Sequence, residues 1–174
     1  FIPGSEVAGE IVEVGTEGQN FKGGDRVLCL TGNGYAEYAV ANEASLVRIP
    51  DGLDDIQAAA IPLQGLTAYH IIKTSGRLKQ GESVLVHAAA GGVGTLSVQL
   101  AKLFGAGQII ATASTPEKLE LARSLGATHL VNYTEENWDE QVLEITDGKG
   151  VDVILEMVGG DEFMNKNLRA LAVW

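Results

Sequence analysis

The sequence predicts an α/β protein: a doubly wound parallel sheet, incomplete at about four strands, preceded by a β-rich segment. Three observations carry this. From Ser83 onward, short apolar runs alternate with stretches of helical period. A glycine-rich turn, His87-Ala88-Ala89-Ala90-Gly91-Gly92-Val93-Gly94, joins the first of those runs to the first helix. Residues 1–50 hold only short strand-like runs broken by glycine.

In chain order, Glu6–Val14 and Arg26–Leu30 read as strands. Tyr35–Ala41 reads as a third, set off by the turn signal Thr31-Gly32-Asn33-Gly34. Leu46–Ile49 is a fourth and ends at Pro50-Asp51-Gly52. The character changes at Asp54-Asp55, which could cap a helix through Ala58–Ala60 that breaks at Pro62. Thr67–Lys73 continues helically and closes at Gly76. Strands are then expected at 83–87, 108–112, 128–132 and 151–155, with helices at 92–104, 115–125, about 135–146 and about 161–170. Gly126 closes the second of these helices. Leu96, Leu100 and Leu103 recur at helical spacing and read as core. The division expected is 1–53 and 54–174. A complete sheet of this kind has six strands in the order 3-2-1-4-5-6, so two are expected past Trp174.

The turn follows Ser83-Val84-Leu85-Val86, a buried parallel strand by pattern, and opens a helix closed by Gly105. Residues lacking Cβ let a backbone approach a pyrophosphate, and a helix start offers free N–H groups. Ala89, Gly91 and Gly94 occupy the positions of a GxGxxG fingerprint, with alanine for the first glycine and an extra Gly92. Ala89, Gly91, Gly92, Val93 and Gly94 are therefore the candidate pyrophosphate cradle. A tight turn that is glycine-rich for packing alone is the competing reading.

The next strand end bears on which dinucleotide is held. An NAD site carries an acid about 20 residues on, for the ribose hydroxyls. Here Ala113-Ser114-Thr115-Pro116 stands in that place, and Glu117 falls in the first helical turn. Ser114 and Lys118 can hold a 2′-phosphate that a carboxylate would repel, so NADPH is expected over NADH. Lys118 also reads as a solvated surface lysine, and Ser114 and Thr115 as helix caps with Pro116 at the first helical position.

The chain has 174 residues, 45% hydrophobic and 20% charged, as a water-soluble globular protein has. Its net charge of −11 and the lack of a basic patch argue against nucleic acid. No stretch has the length of a membrane span, and no signal peptide is visible. One cysteine, Cys29, excludes an internal disulfide and points to a reducing compartment, the cytoplasm. Lying in Val27-Leu28-Cys29-Leu30, it reads as a small buried hydrophobe. The chain begins at Phe1 and stops at Leu171-Ala172-Val173-Trp174 without a polar tail, which predicts a piece of a longer protein.

The chain resembles the zinc-independent NADPH:quinone oxidoreductases, the zeta-crystallin-like branch of the medium-chain dehydrogenases/reductases. The matching residues run nearly end to end: Pro3-Gly4-Ser5-Glu6-Val7-Ala8-Gly9, Gly24-Asp25-Arg26-Val27, Tyr35-Ala36-Glu37-Tyr38, Ile49-Pro50-Asp51-Gly52, Gly65-Leu66-Thr67-Ala68, Leu78-Lys79-Gln80-Gly81-Glu82, the His87–Gly94 turn, Gly126-Ala127 and Val131-Asn132-Tyr133. The resemblance implies part of a GroES-like β-rich catalytic domain, then a Rossmann cofactor domain, with the active site in the cleft between them and a homodimeric parent. It implies Thr67 near the nicotinamide and Tyr133 near the 2′-phosphate end. A backbone-bonded helix hydroxyl and a core tyrosine are the competing readings of those two.

In zinc-binding relatives a histidine stands where this chain has Ser5, and a cysteine aligns near Leu63. Neither residue is a good zinc ligand, and a four-cysteine structural lobe is missing, so no metal is expected. Ser5 and Glu6 border the expected pocket or serve turns and caps. His70, His87 and His129 lack clustered spacing and read as structural. The resemblance then implies hydride transfer from NADPH to a quinone or activated enone. An NADPH-dependent enoyl or alkenal reductase, including the polyketide-synthase type, and a non-catalytic NADPH binder are the alternatives. No general acid or base is evident.

Overall fold

The computed structural model describes residues 1–173 and divides into two compact units, Phe1–Leu66 and a second beginning at Thr67. Among the described residues, the first unit's sheet has three antiparallel strands in the order β1 (Glu6–Glu10), β2 (Arg26–Leu30), β3 (Val47–Arg48). Pairing of β1 with β2 runs from Glu6 opposite Leu30 to Glu10 opposite Arg26. Val27 and Cys29 alternate inward on β2, and Cys29 is buried as expected.

Helix α1 (Asp55–Ala59) starts on a capping box: the Asp54 carboxylate accepts the Gln57 N–H at 2.7 Å, and the Gln57 side chain accepts the Asp54 N–H at 3.4 Å. It packs on β1 and β2. By compactness it therefore goes with the first unit, whereas composition groups it with the second. Pro62 breaks the helical run and then opens α2 (Pro62–His70) as its first residue, where no N–H is needed. A π-turn, Ile71–Ser75, follows and closes at Gly76.

The strand expectations in the first unit are corrected in part. Beyond Glu10 the chain leaves the sheet, with Val12 and Val14 exposed. Tyr35–Ala41 forms no strand, and Tyr35, Tyr38 and Val40 all face solvent. Alternation makes a strand only where a neighbour completes the backbone ladder, and no described residue pairs with this segment as a strand.

Among the described residues, the second unit holds four parallel strands: β4 (Ser83–Val86), β5 (Gln108–Ala113), β6 (His129–Asn132) and β7 (Val153–Leu155). Their spatial order is β6-β5-β4-β7, the 3-2-1-4 portion of a doubly wound sheet. The helices are α3 (Gly92–Leu103), α4 (Pro116–Leu125), α5 (Trp138–Ile145) and α6 (Asp161–Ala170). Val84, Val86, Ile109 and Ala111 join Val98 and Ala101 of α3 and Ala122 of α4 in one core layer. Leu85, Ile110 and Val131 join Trp138 and Val142 of α5 and Ala170 of α6 in the other. Burial on both faces explains why β4 and β5 are continuous apolar runs. Among the described residues no helix is long and apolar enough to cross a membrane.

Candidate functional site

The chain leaves β4 through His87 and bends at Ala88, whose φ of 45° is left-handed. The Ala88 carbonyl accepts the Gly91 N–H at 2.8 Å, which closes the turn. Gly91 then caps α3 without any side-chain hydrogen bond, and helical bonding begins with Thr95 N–H to Gly91 O at 2.9 Å. The first-turn amides of Gly92, Val93 and Gly94 therefore present an uncapped, partly positive helix start. Gly91 and Gly92 are exposed there, while Gly94 is buried. A Cβ on Gly94 would lie 2.2 Å from the Ala88 oxygen, so only glycine lets α3 approach the turn this closely. Ala89 is buried and its N–H donates to Thr112 O at 2.9 Å. That amide is committed to the sheet, so Ala89 shapes the cradle and has no N–H left to donate to a phosphate.

At the end of β5, Lys118 Nζ donates to Ser114 Oγ at 3.3 Å. Thr115 is the N-cap of α4, its hydroxyl accepting the Lys118 N–H at 3.4 Å, with Pro116 at the first position. The Glu117 carboxyl is held below its ordinary range by a backbone N–H at the helix start and by the Thr115 hydroxyl. The nearby acid is thus stabilised as a carboxylate by the helix start. Tyr133 donates its N–H to Ala113 O at 3.2 Å, which sets its backbone beside Ser114. Its ring packs edge-on against Phe163, 5.7 Å between centroids, as a core tyrosine does.

Thr67 lies elsewhere, on the wall of a cavity of about 470 Å³ with Val93, Ile71, Ile154, Glu156 and Met157. This cavity lies at the exit of β7, beside the start of the helix that follows β4; β4 and β7 are the neighbouring strands that flank the switch point, where doubly wound sheets bind ligands. β5 and β6, with Ser114, Lys118 and Tyr133, are on the other side of β4. The expected residues therefore form three stations: the cavity, the α3 start and the β5 end. A larger hollow of about 1270 Å³ in the first unit is walled by β1, β2 and residues 36–46 and carries no phosphate-binding feature.

A buried polar chain backs the cavity. His87 is wholly buried; its Nδ1 lies 2.8 Å from Thr112 Oγ1 and its Nε2 2.7 Å from Asn167 Oδ1. Asn167 Nδ2 donates to Glu156 Oε2 at 2.5 Å. Glu156 Oε1 accepts the N–H groups of Val158 and Gly159 at 2.5 and 2.8 Å. Since Asn167 Oδ1 only accepts, the hydrogen bonds assign Nε2–H to His87 and make its Nδ1 the acceptor of the Thr112 hydroxyl. Trp138 and Phe163 each meet the ring edge-on, at 5.1 and 4.8 Å, and pack on each other at 5.0 Å. Sequence reasoning read His87 as structural and did not single out Glu156 or Asn167. The available signal was Asn167 itself, which shares a helical face with Phe163 and Ala170, both core residues.

Burial pushes the His87 pKa below its ordinary 6.5, with Asn167 and Glu156 opposing that only in part. Burial would raise Glu156, but the N–H groups of Gly159 and Val158, with Asn167, outweigh it and leave the carboxyl below its ordinary 4.5. The unfolded histidine takes up a proton below pH 6.5 that the folded one refuses, so stability is full above that pH and declines beneath it. Glu156 adds its own loss only below 4.5. Urea unfolding from pH 7 downward is expected to show a decline that begins near 6.5, and His87→Gln to remove the part between 6.5 and 4.5. An unchanged slope in that variant contradicts the assignment.

The residues aligned with zinc ligands do not fit the metal. Glu6 Oε1 accepts the Leu63 N–H at 2.8 Å and so caps the start of α2. Ser5 offers an exposed hydroxyl, and Cys29 is buried in β2. Among the described residues no group of three or more His, Cys, Asp or Glu is placed to hold an ion.

Two family models match the chain: "Alcohol dehydrogenase GroES-like domain" over residues 1–51 and "Zinc-binding dehydrogenase" over residues 92–174. A quinone oxidoreductase of Pseudomonas aeruginosa is 48% identical over 160 residues, which is 91% of this chain and 49% of that protein. A 2-haloacrylate reductase of a Burkholderia species is 40% identical over 174 residues, 98% of this chain and 52% of that protein. Among solved structures, Escherichia coli quinone oxidoreductase complexed with NADPH has a TM-score of 0.87 at 36% identity, covering 97% of this chain and 52% of that one. CurK enoyl reductase has a TM-score of 0.90 at 36% identity, with 98% and 51% covered. An NAD-dependent alcohol dehydrogenase has a TM-score of 0.93 at 34% identity, with 98% and 57% covered. The chain spans about half the length of the curated relatives it matches.

Proposed function

The chain belongs to the medium-chain dehydrogenase/reductase family, whose two parts the matched domains represent, and on that premise we propose that it serves an oxidoreductase that passes hydride from NADPH to a quinone or similarly activated acceptor, without zinc. The single observation that carries the cofactor choice is the Lys118–Ser114 pair at the end of β5. A 2′-phosphate meets an ammonium and a hydroxyl there. The first-turn amides at Gly92, Val93 and Gly94 would hold the pyrophosphate, with Ala89 and Gly91 shaping the turn. Thr67 and the cavity at the switch point would take the nicotinamide end, and Tyr133 would pack near the 2′-phosphate end.

NADPH, when bound, supplies the hydride at nicotinamide C4. The chain's own residues bind it, fix its direction across the sheet and exclude water from one face. A quinone suits a site without a metal because it accepts the electron pair into its own conjugated oxygens. The reading takes the parent protein to be a cytoplasmic homodimer acting on small molecules.

The test is an equilibrium titration of NADPH and NADH against the wild-type chain and Lys118→Ala. NADPH is expected to bind more tightly than NADH, and the substitution to weaken NADPH about tenfold, the size of one charge-assisted hydrogen bond at an exposed site, with little change for NADH. Tighter NADH binding, or indifference to Lys118→Ala, defeats the assignment. The second reading, an enoyl or alkenal reductase, is favoured by the likeness to CurK enoyl reductase and to the haloacrylate reductase. Following NADPH oxidation by the parent protein with a quinone and with an enoyl thioester separates the two. Turnover of the thioester alone rejects the quinone, and binding without any turnover leaves a non-catalytic NADPH binder.

A further inference from the structure

We propose that the Glu156 carboxylate selects the charge of what occupies the β4–β7 cavity, favouring the oxidised, cationic nicotinamide ring over the reduced, neutral one. This rests on the reading that the cavity takes the nicotinamide end. Glu156 lines the cavity at the exit of β7, and its side chain is 21% exposed, so it is neither sealed away nor freely solvated. Every recorded donor to it is neutral: the N–H groups of Val158 and Gly159 and the amide of Asn167. Among the described residues its only ion-pair contact is His87 Nε2 at 3.8 Å. That ring nitrogen already donates to Asn167 Oδ1, and burial keeps the ring uncharged.

The carboxylate is thus held in place and ionised, with its charge uncancelled. Val93, Ile71, Ile154 and Met157 supply apolar walls around it, so its field is weakly screened inside the cavity. The two redox forms of the cofactor differ at the ring by one positive charge. Attraction to Glu156 therefore tightens the oxidised form relative to the reduced one. By linkage, the bound cofactor becomes the stronger hydride donor, by about 30 mV for each tenfold in the affinity ratio.

Glu156→Gln removes the charge and can keep the hydrogen bonds. The new side-chain carbonyl still accepts the two N–H groups, and the new amide nitrogen donates to Asn167 Oδ1 once the Asn167 amide flips. Asn167 then donates to His87 Nε2, and the other tautomer donates from Nδ1 to Thr112 Oγ1. The experiment measures dissociation constants of NADP+ and NADPH for wild type, Glu156→Gln and Glu156→Asp. The ratio favouring NADP+ is expected to fall about tenfold in Glu156→Gln and to stay within about threefold of wild type in Glu156→Asp, which keeps the charge.

An unchanged ratio in Glu156→Gln, with both forms still bound, overturns this inference alone. An equal change in both variants also overturns it, because packing and not charge then sets the ratio. Failure of wild type to bind either form overturns it together with the proposed cofactor site. A measurement on wild type guards against a Glu156→Gln chain that does not fold. There 1-methylnicotinamide, a cation, is expected to compete with NADPH better than neutral nicotinamide, and equal competition overturns the proposal.

Discussion

Gly94→Ala is expected to lower the free energy of unfolding by about 3 kcal/mol and to abolish measurable NADPH binding. The added Cβ would sit 2.2 Å from the Ala88 oxygen, 2.8 Å from Ala89 Cα and 2.9 Å from the Ala88 carbonyl carbon. All three are backbone atoms of the turn, so no side chain can swing aside. Relief requires the first turn of α3 to withdraw from the sheet, taking the candidate cradle with it. Alanine's better helix propensity, about 1 kcal/mol over glycine, works the other way and is too small to offset the overlap. Gly91→Ala is the control. Its Cβ would meet only the Ala88 oxygen, at 3.2 Å, so it is expected to unfold close to wild type. Urea denaturation and cofactor titration of both variants check this. A Gly94→Ala chain as stable as Gly91→Ala would show that α3 is not held against the turn.

Asn167→Leu is expected to cost about 3 kcal/mol although leucine has the same number of side-chain heavy atoms and the same branch at Cγ. Asn167 is 5% exposed and bonded at both ends of its amide, to His87 Nε2 and to Glu156 Oε2. Leucine leaves a buried imidazole N–H and a half-buried carboxylate oxygen without those partners. Each stranded group carries its own desolvation penalty, and the carboxylate's is the larger. Thr112→Val strands one group only, His87 Nδ1, and is expected to cost less. Comparing the two by urea denaturation near pH 7.5 keeps histidine protonation out of the difference. Equal costs would show that Asn167 is no more than a space-filling residue.

The parallel sheet was legible because its central strands, β4 and β5, are buried on both faces. That forces apolar residues at consecutive positions, as in Val84-Leu85-Val86 and Ile109-Ile110-Ala111. The turn was legible because close backbone approach admits only glycine at Gly94. The Thr115 cap with Pro116 after it was legible because a helix cap and its first turn are local in sequence. Tyr35–Ala41 misled because alternation reports a strand's faces and says nothing about its neighbour. The His87 chain was out of reach for a related reason. Its members come from β5, the exit of β4, α6 and the exit of β7, and His87 and Asn167 are 80 positions apart. Spacing rules describe one helix or one strand, whereas this contact is made by topology. A polar residue on the inward face of α6 signalled only that some buried partner existed.

That chain has a mechanical side. Glycine-rich turns at the mouth of a sheet ordinarily open one by one, each with its own small local cost. Here Val158 and Gly159 are linked through Glu156 and Asn167 to a ring packed against Trp138 and Phe163, and through Thr112 to the neighbouring strand. Moving Glu156 itself at the exit of β7 thus means giving up its bond to α6 as well as those to Val158 and Gly159. On that side the cavity wall is expected to be stiff, so that whatever enters meets a Glu156 already set in place.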